Sequence, residues 1–246
     1  MKKSDSIVYI YGRHAVTEAI ELRPDIVETL HLRADVAREQ SAQKLQKKVS
    51  AVVEFTDRKL PGGIRNDATH QGYIAAIDTS KLLIPFKTFR DEVAAEPDTA
   101  LVLLGEVQDP HNVGAIIRSA VAFGASAVLV PEHRGCPITG TVIKTSVGTA
   151  FTVPLVSVGN VNNTLRDLKD RGFWVYGLDG EGDVSLPEEQ FTKPSVFVVG
   201  NEATGMRQKT HELCDTILSI PMSERAESLN ASVSAAVTLY AWHAQK

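Results

Sequence analysis

The segment after the apolar run at residues 101–104 reads Asp109-Pro110-His111-Asn112-Val113-Gly114-Ala115-Ile116-Ile117-Arg118-Ser119. Two further polar segments follow apolar runs of strand length in the same way. One reads Gly200-Asn201-Glu202-Ala203-Thr204-Gly205-Met206, and the other continues from Ile220 to Ser234. In a parallel α/β sheet the carboxyl ends of the strands meet at one edge, and ligands bind there. The three segments therefore predict one site at that edge.

Apolar runs alternate with helical patterns from residue 98 to the end of the chain. We predict strands at 101–104, 127–130, 153–156, 173–178, 195–199 and 216–220. We predict the main helices at 112–123, 139–146, 161–169 and 228–245. This alternation is typical of an α/β fold with a parallel sheet covered by helices on both faces.

The first part of the chain shows a smaller α/β pattern. Here we predict strands and helices at 7–10, 14–22, 27–32, 37–49, 51–55 and 72–77. The stretch 79–97 contains two prolines and mixed charge, which is typical of a linker, and its residues 85–93 favour a short helix. We therefore predict a small α/β domain at 1–78, a linker at 79–97 and a larger domain at 98–246.

Composition limits the function classes. The 246 residues are 43% hydrophobic and carry a formal net charge of −4, which argues against a protein that coats nucleic acid. However, residues 1–80 carry 12 Lys and Arg against 11 Asp and Glu, whereas 98–246 carry 11 against 16. RNA contact by the first part is thus permitted. The chain contains no signal-peptide pattern and no apolar run of membrane length, so we expect a cytoplasmic protein without a membrane partner.

Metal chemistry is not favoured. The two cysteines, Cys136 and Cys214, lie far apart, and the seven histidines show no metal-ligand spacing. The sequence therefore predicts reduced thiols and no metal.

The three segments resemble the three motifs of the SpoU branch of the SPOUT RNA methyltransferases. These enzymes transfer a methyl group from S-adenosyl-L-methionine to a ribose 2′-hydroxyl. The motifs occur in the family order, separated by about 80 and then 20 residues, and the resemblance covers about 98–246. Residues 11–16 and 70–72 are similar to the accessory, RNA-binding domain of bacterial 23S ribosomal-RNA guanosine-2′-O-methyltransferases.

The resemblance implies a fold, a cofactor and partners. It implies a SPOUT domain with a deep trefoil knot, in which roughly 201–246 passes through an earlier loop, although un-knotted chains are the rule. It implies S-adenosyl-L-methionine as cofactor, RNA, foremost ribosomal RNA, as substrate, and a homodimer in which the last helix and the first-motif helix pack across a two-fold axis.

The resemblance also implies the site residues. The catalytic set is Asn112, Arg118, Glu202, Ser228 and Asn230, and the backbone at Gly200, Ile220 and Leu229 holds the cofactor. Glu202 would orient Asn112 and Arg118. Arg118 would contact the target phosphate and activate the hydroxyl, but its pKa above roughly 12 makes it a poor base. We therefore interpret Arg118 as a positioning and charge-stabilising group.

Simpler interpretations remain open for each residue. Arg118 could form a surface ion pair, Glu202 could belong to a plain tight turn, and Ser228 could cap the last helix with Asn230 in its first turn. The sequence departs from the family pattern at Glu224, where glycine is common, and at Ala231, where valine is common.

The leading functional prediction is methylation of a ribose 2′-hydroxyl in structured RNA, foremost a guanosine of 23S ribosomal RNA. The alternatives are a transfer-RNA 2′-O-methyltransferase and a non-catalytic RNA-binding homologue. A nicotinamide oxidoreductase would need a Gly-x-Gly-x-x-Gly turn after the first strand of the larger domain, which is missing there. Gly200 and Gly205 have Walker A spacing, but Met206-Arg207 replaces the required Lys-Ser/Thr.

Overall fold

The computed structural model describes residues 6–65 and 67–246, which form two compact units. The first unit contains the described residues up to Leu83 together with Ile138–Thr152. The second contains Ile84–Pro137 and Val153–Lys246.

The first unit is built on a four-stranded sheet. Its strands are β1 (Ile7–Tyr11), β2 (Val27–Arg33), β3 (Val52–Phe55) and β4 (Tyr73–Asp78), in the order β1-β4-β2-β3. Strand β4 pairs antiparallel with β1 and β2, whereas β2 and β3 are parallel. All six residues of β4 are buried, so this strand forms the centre of the small core.

Two helices accompany this sheet. Helix α1 (Arg13–Leu22) buries Val16, Ala19 and Ile20, which lie on one helical face. The single helix predicted at 37–49 was wrong. A 3₁₀ turn at Val36–Arg38 and helix α2 (Gln40–Gln46) replace it, because the extended backbone of Glu39 separates them.

Helix α5 (Gly140–Thr145) also belongs to the first unit, where it packs against β1. A Cβ atom at Gly140 would lie 2.7 Å from the Tyr9 carbonyl oxygen, so glycine permits this close approach. The Lys144 ammonium donates a hydrogen bond to Tyr11 Oη at 3.1 Å. The sequence pattern predicts residues 138–152 as part of the larger domain at 98–246, whereas they lie in the first unit. The predicted domain borders stay a prediction.

The second unit contains a parallel sheet. Its strands are β6 (Ala100–Leu104), β7 (Ala127–Pro131), β8 (Leu155–Val158), β9 (Trp174–Leu178), β10 (Val184–Ser185), β11 (Ser195–Val199) and β12 (Thr216–Ser219). The order is β10-β12-β9-β11-β6-β7-β8-β5, with β5 (Leu83–Pro85) at the far edge. All pairings from β10 to β8 are parallel, which confirms the predicted α/β fold class.

Helices and aromatic side chains cover the sheet. The remaining helices are α3 (Phe86–Glu92), α4 (Pro110–Ala122), α6 (Val161–Asp170), α7 (Gln208–His211) and α8 (Ala231–His243). Strands β6, β7 and β11 are buried at every residue, as expected for a sheet covered on both faces. Phe197 of β11 lies 5.5 Å from the Tyr176 ring and 6.5 Å from the Trp242 ring of α8.

Some predicted boundaries in this unit were wrong. The strand predicted at 153–156 begins at Leu155, after Pro154, whose nitrogen has no hydrogen to donate. The last helix begins at Ala231 instead of Ser228. Strands β5 and β10 were missed because three and two residues are too few for a recognisable pattern.

Candidate functional site

A pocket of about 360 Å³ opens at the carboxyl ends of three neighbouring strands. Leu178 ends β9, Val199 ends β11 and Leu218 lies near the end of β12, and all three line the pocket. The loops that follow these strands form the rest of its wall. This is the sheet edge at which the sequence predicted a site.

The pocket combines apolar walls with negative charge. Apolar side chains from β9, β11, β12 and the loop before α8 line it, and so do four carboxylates, Asp179, Glu181, Glu202 and Glu227. The lining contains no lysine or arginine. Such a pocket suits a ligand that has a flat apolar ring and a net positive charge.

Asn112 lies at the centre of a hydrogen-bonded network beside this pocket. It occupies the first turn of α4, and only 6% of its surface is exposed. Its Nδ2 donates to Glu202 Oε1 at 2.9 Å, and its Oδ1 accepts from Asn230 Nδ2 at 2.9 Å. One side chain from each of the three sequence motifs therefore joins this network.

Glu202 receives further donors from the chain before α4. Its carboxylate accepts from the backbone N–H groups of Gln108 (3.4 Å) and Asp109 (3.2 Å). Burial opposes ionisation, but the hydrogen bonds from Asn112 and the backbone outweigh it and lower the pKa of Glu202 below its ordinary value. Glu202 is therefore ionised at neutral pH and links its loop to the start of α4.

Asn230 is the N-cap of α8, so its predicted position in the first turn was wrong. Its Oδ1 accepts from Ser232 N (2.9 Å) and Ser232 Oγ (2.6 Å), while its Nδ2 remains available for Asn112. Ser228 lies two residues before the cap. It lines the pocket together with Ile220 and Leu229. Among the described residues, nothing forms a hydrogen bond with the Ser228 hydroxyl. It therefore does not cap the helix.

Two residues hold the loop that carries Glu202. A Cβ atom at Gly200 would lie 2.7 Å from the Gly205 carbonyl carbon and the Met206 nitrogen, so this position requires glycine. Asn201 Oδ1 accepts from the backbone of Ala203 (3.0 Å) and Thr204 (3.2 Å). We did not single out Asn201 from the sequence, although asparagine is typical of a side-chain turn of this kind.

Asn201 also connects this loop to the one that follows β6. Its Nδ2 donates to the carbonyl oxygen of Glu106 at 3.0 Å. The Glu106 carboxylate forms an ion pair with Arg207 at 2.8 Å, and its backbone has a φ of 70°. The left-handed backbone of a glutamate is unfavourable. Two contacts from the Gly200–Arg207 segment thus hold Glu106 in this conformation.

Arg118 is not part of the network. It lies on α4 six residues after Asn112, its side chain is exposed, and it has no hydrogen bond or ion pair within residues 6–65 and 67–246. The alternative of an ion pair within the described chain is therefore not supported. Glu224 is also exposed and is not among the residues that line the pocket.

Neither cysteine adds a reactive group to the site. Burial raises the pKa of Cys214 to about 12, and burial together with the charges of Asp109 and Glu202 raises the pKa of Cys136. In the described part of the chain, no cluster of three or more His, Cys, Asp or Glu could hold a metal ion. The same residues include no helix that is long and apolar enough to span a membrane.

Two family models match the chain. The SpoU rRNA Methylase family matches residues 99–240, and the RNA 2′-O ribose methyltransferase substrate-binding family matches residues 9–83. The first match covers more than half of the chain, including all three motifs.

Relatives of known name match almost the whole chain. The chain is 38% identical over 237 residues to the 23S rRNA (guanosine-2′-O-)-methyltransferase RlmB of Nitrosomonas europaea, covering 94% of this chain and 89% of that protein. It is 35% identical over 232 residues to RlmB of Neisseria meningitidis, covering 94% and 92%. Both relatives therefore share both parts of the chain.

A solved structure shares the fold. The SpoU methyltransferase AviRb from Streptomyces viridochromogenes, in complex with the cofactor AdoMet, superposes with a TM-score of 0.82 at 25% identity. The alignment covers 98% of this chain and 91% of that one. The predicted SPOUT architecture is confirmed, and this fold implies the trefoil knot.

Proposed function

Because the chain belongs to the SpoU rRNA Methylase family, we propose that it methylates the ribose 2′-hydroxyl of a guanosine in 23S ribosomal RNA, with S-adenosyl-L-methionine as donor. The observation that carries the proposal is the Asn112–Glu202–Asn230 network beside a pocket with carboxylates and apolar walls. An rRNA substrate implies a cytoplasmic location.

The pocket fits this cofactor by its chemistry. S-adenosyl-L-methionine supplies a methyl group activated by a sulfonium, and it has one net positive charge. The apolar side chains Leu178, Ile220 and Leu229 suit its adenine ring, and the backbone at Gly200 lies at the same wall. The carboxylates in the pocket lining favour a cation.

The chain's own residues have two separate tasks in this reaction. Glu202 and Asn230 hold Asn112 in one orientation, and the loop that carries Glu202 forms part of the pocket wall. Arg118 presents a free guanidinium whose planar fork suits an RNA phosphate. It would align the ribose and stabilise the charge that develops when the hydroxyl loses its proton.

A transfer-RNA enzyme is the second candidate. A tRNA-modifying enzyme of the TrmH/SpoU type from A. aeolicus is 30% identical, but its alignment covers only 65% of this chain. The RlmB relatives cover 94%, and the substrate-binding family matches residues 9–83. Similarity over the first domain therefore favours ribosomal RNA.

We also propose that the protein acts as a homodimer through α8. Val233, Val237 and Tyr240 follow one another at helical spacing and are 45%, 37% and 59% exposed. An exposed apolar stripe of this kind is typical of an interface. Arg118, which has no partner on its own chain, would then be free to serve the site from a second copy.

The dimer is tested by light scattering after chromatography. A charge in the stripe should oppose association, so Val237→Glu is expected to elute as a monomer, whereas Leu22→Glu is expected to remain a dimer. Leu22 is a suitable control because it is 48% exposed and lies on α1 of the first unit. A dimeric Val237→Glu protein would contradict the proposed interface.

The activity is tested with the purified protein and two substrates. We expect transfer of labelled methyl to one ribose of an unmodified 23S rRNA transcript and little transfer to unmodified tRNA. Mapping of ribose methylation in cells that lack the protein should show loss at the same nucleotide. Methylation of tRNA alone would establish the second candidate, and cofactor-independent RNA binding without transfer would establish a non-catalytic homologue.

A further inference from the structure

The first unit contains a polar cleft of about 330 Å³ beside α1 and α2. Arg13 and Thr17 of α1, Gln40, Ser41 and Lys44 of α2, and Tyr73 at the start of β4 are the lining residues that matter here. The cleft is large enough for one nucleotide, and the uncharged side chains of Thr17 and Gln40 can donate hydrogen bonds to an anion there.

The cations of the described first unit are either paired with a carboxylate or unpaired, and Arg13 and Lys44 are the two unpaired ones that line this cleft. Arg23, Arg33, Arg65 and Lys81 each form an ion pair with a nearby carboxylate at 2.7–2.9 Å. In contrast, neither Arg13 nor Lys44 has a carboxylate partner within residues 6–65 and 67–246. Their positive charge is therefore available to an external anion.

Arg13 is also held in place before any ligand binds. Its Nη2 donates to Ser41 Oγ at 3.3 Å, and its guanidinium lies over the Tyr73 ring, 5.8 Å from the centroid. An arginine that is already oriented loses less conformational entropy when it binds a phosphate.

The carboxylates near the cleft are already engaged. Glu21 forms an ion pair with Lys48, and Glu39 accepts hydrogen bonds from Ser41 Oγ (3.3 Å) and Tyr73 Oη (3.5 Å). Glu21 is thus neutralised by its partner. Glu39 offsets part of the cleft's charge, and the balance stays positive.

We propose that this cleft binds a backbone phosphate of the substrate RNA through Arg13 and Lys44, and that it thereby selects the RNA that is methylated. The inference rests on the proposed function, which it extends from the reaction to substrate recognition. A phosphate contact fixes the position of the RNA on the protein but reads no base. Arg13 and Lys44 would therefore favour one RNA over another by fixing where it lies on the protein, and not by recognising its bases.

The test measures binding of the full-length protein to an unmodified 23S rRNA transcript over a series of salt concentrations. We expect Arg13→Gln and Lys44→Gln each to weaken binding about 10-fold at low salt, and the slope of log affinity against log salt to fall by about one. Lys81→Gln and Arg65→Gln remove the same charge from carboxylate-paired positions. We expect them to change affinity less than about twofold, as for an exposed ion pair.

Kinetics separate recognition from folding and catalysis. The KM for RNA should rise in Arg13→Gln, while kcat at saturating RNA and the calorimetric Kd for S-adenosyl-L-methionine should stay within about twofold, since the cleft lies outside the chemical site. Arg13→Lys should recover part of the affinity, because it keeps the charge without the fork.

Two results would overturn the inference. One is a cleft variant that binds RNA as the paired-cation controls do, and the other is a loss in kcat without a change in KM. If the wild-type protein itself fails to bind or methylate the transcript, the proposed function fails instead, so the two failures are distinguishable.

Discussion

Two residues of helix α4 differ in how many hydrogen-bond partners the rest of the chain provides for them. Asn112 near its start is buried and hydrogen-bonded on both sides, to Glu202 and Asn230. Arg118, six residues later, is exposed and has no partner in the described chain. The contrast separates a network that this chain preorganises alone from an arginine that we propose to act on RNA.

The cations of the first unit show the same contrast. Arg33 and Lys81 are neutralised by neighbouring carboxylates, whereas Arg13 and Lys44 are not. Arg13 and Lys44 also line one cleft, and this shared position is the basis of the proposal that RNA binds there. A net charge of −4 conceals these two cations, because the excess of negative charge lies in residues 98–246, which carry 11 Lys and Arg against 16 Asp and Glu.

The largest effect should follow substitution of Arg118, which has no hydrogen bond or ion pair in the described chain. We expect Arg118→Ala to lower kcat for methylation by roughly 10²–10³, the usual loss when one charge-stabilising donor is removed. The calorimetric Kd for S-adenosyl-L-methionine should stay unchanged, since Arg118 does not line the pocket. Arg118→Lys should also be slow, because it lacks the planar fork.

Arg166→Ala is the matched control for this prediction. Arg166 is another exposed arginine of the second unit, and its Nη1 donates to Asn163 Oδ1 on its own helix, at 3.1 Å. Single-turnover rates should be near normal in this variant. Near-normal rates in Arg118→Ala as well would show that Arg118 does not take part in methyl transfer.

The satisfied end of α4 should respond differently, with losses in cofactor binding and stability. Asn112→Ala removes one hydrogen-bond partner from Glu202 and one from Asn230, and Glu202→Gln cannot accept from all its donors, so each should cost about 1–3 kcal/mol. Both changes disrupt the same network, so their combined cost should be smaller than the sum. Calorimetry measures the loss in cofactor affinity, and thermal unfolding measures the loss in stability.

An exposed pair serves as the control for this double-mutant cycle. Gln208 Nε2 donates to Glu212 Oε1 at 3.0 Å on α7, at helical spacing. Substituting both residues by alanine should cost less than about 0.5 kcal/mol and be nearly additive. Additive costs at Asn112 and Glu202 would mean that these two side chains are not one unit.

Local pattern was enough to predict the central strands and the polar segments at their ends, whereas the individual site residues came from the family resemblance. Strands such as β6 and β11 are buried on both faces, so their sequence is continuously apolar, and polar residues at their ends stand out. The start of α8 was not predictable in the same way. Ser228 and Asn230 are both good N-cap residue types, and only the structure shows that Asn230 accepts the capping hydrogen bond and also contacts Asn112.

Features that depend on distant packing could not be predicted. Nothing in residues 138–152 indicates that α5 packs against β1. The lysines of α2 and of the turn after it are a second case. Lys44 lies on α2 and Lys48 lies two residues after its end, and only the fold determines that Lys48 forms an ion pair with Glu21 while Lys44 stays unpaired.

A smaller effect should come from the loop that carries Glu202. A Cβ atom at Gly200 would clash with the Gly205 backbone, so the loop must shift in Gly200→Ala and the Kd for S-adenosyl-L-methionine should rise about 10-fold, the equivalent of roughly 1.4 kcal/mol. Gly180→Ala is the control, because it lines the same pocket with no atom within 4 Å of an added Cβ. Equal affinities in Gly200→Ala and Gly180→Ala would show that the close approach of Gly205 to Gly200 is not needed for cofactor binding.

The smallest effect should come from two of the carboxylates that line the pocket, Asp179 and Glu227. Asp179→Asn and Glu227→Gln each remove one negative charge. Asp179 Oδ1 accepts a hydrogen bond from Glu181 N at 3.1 Å, and the amide oxygen of the substituted side chain could still accept it. Glu227 is exposed and Asp179 is half-buried, and solvent-screened charges contribute about 0.2–1 kcal/mol, so the Kd for S-adenosyl-L-methionine should rise less than about fivefold.

The reaction product separates charge from shape in this measurement. S-adenosylhomocysteine lacks the sulfonium and has no net charge, so its Kd should not change in Asp179→Asn or Glu227→Gln, and the preference for cofactor over product should narrow. Glu224→Gln is the control, because Glu224 is exposed on the same loop as Glu227 but does not line the pocket. Equal changes for both ligands would mean that these carboxylates shape the pocket and do not select its charge.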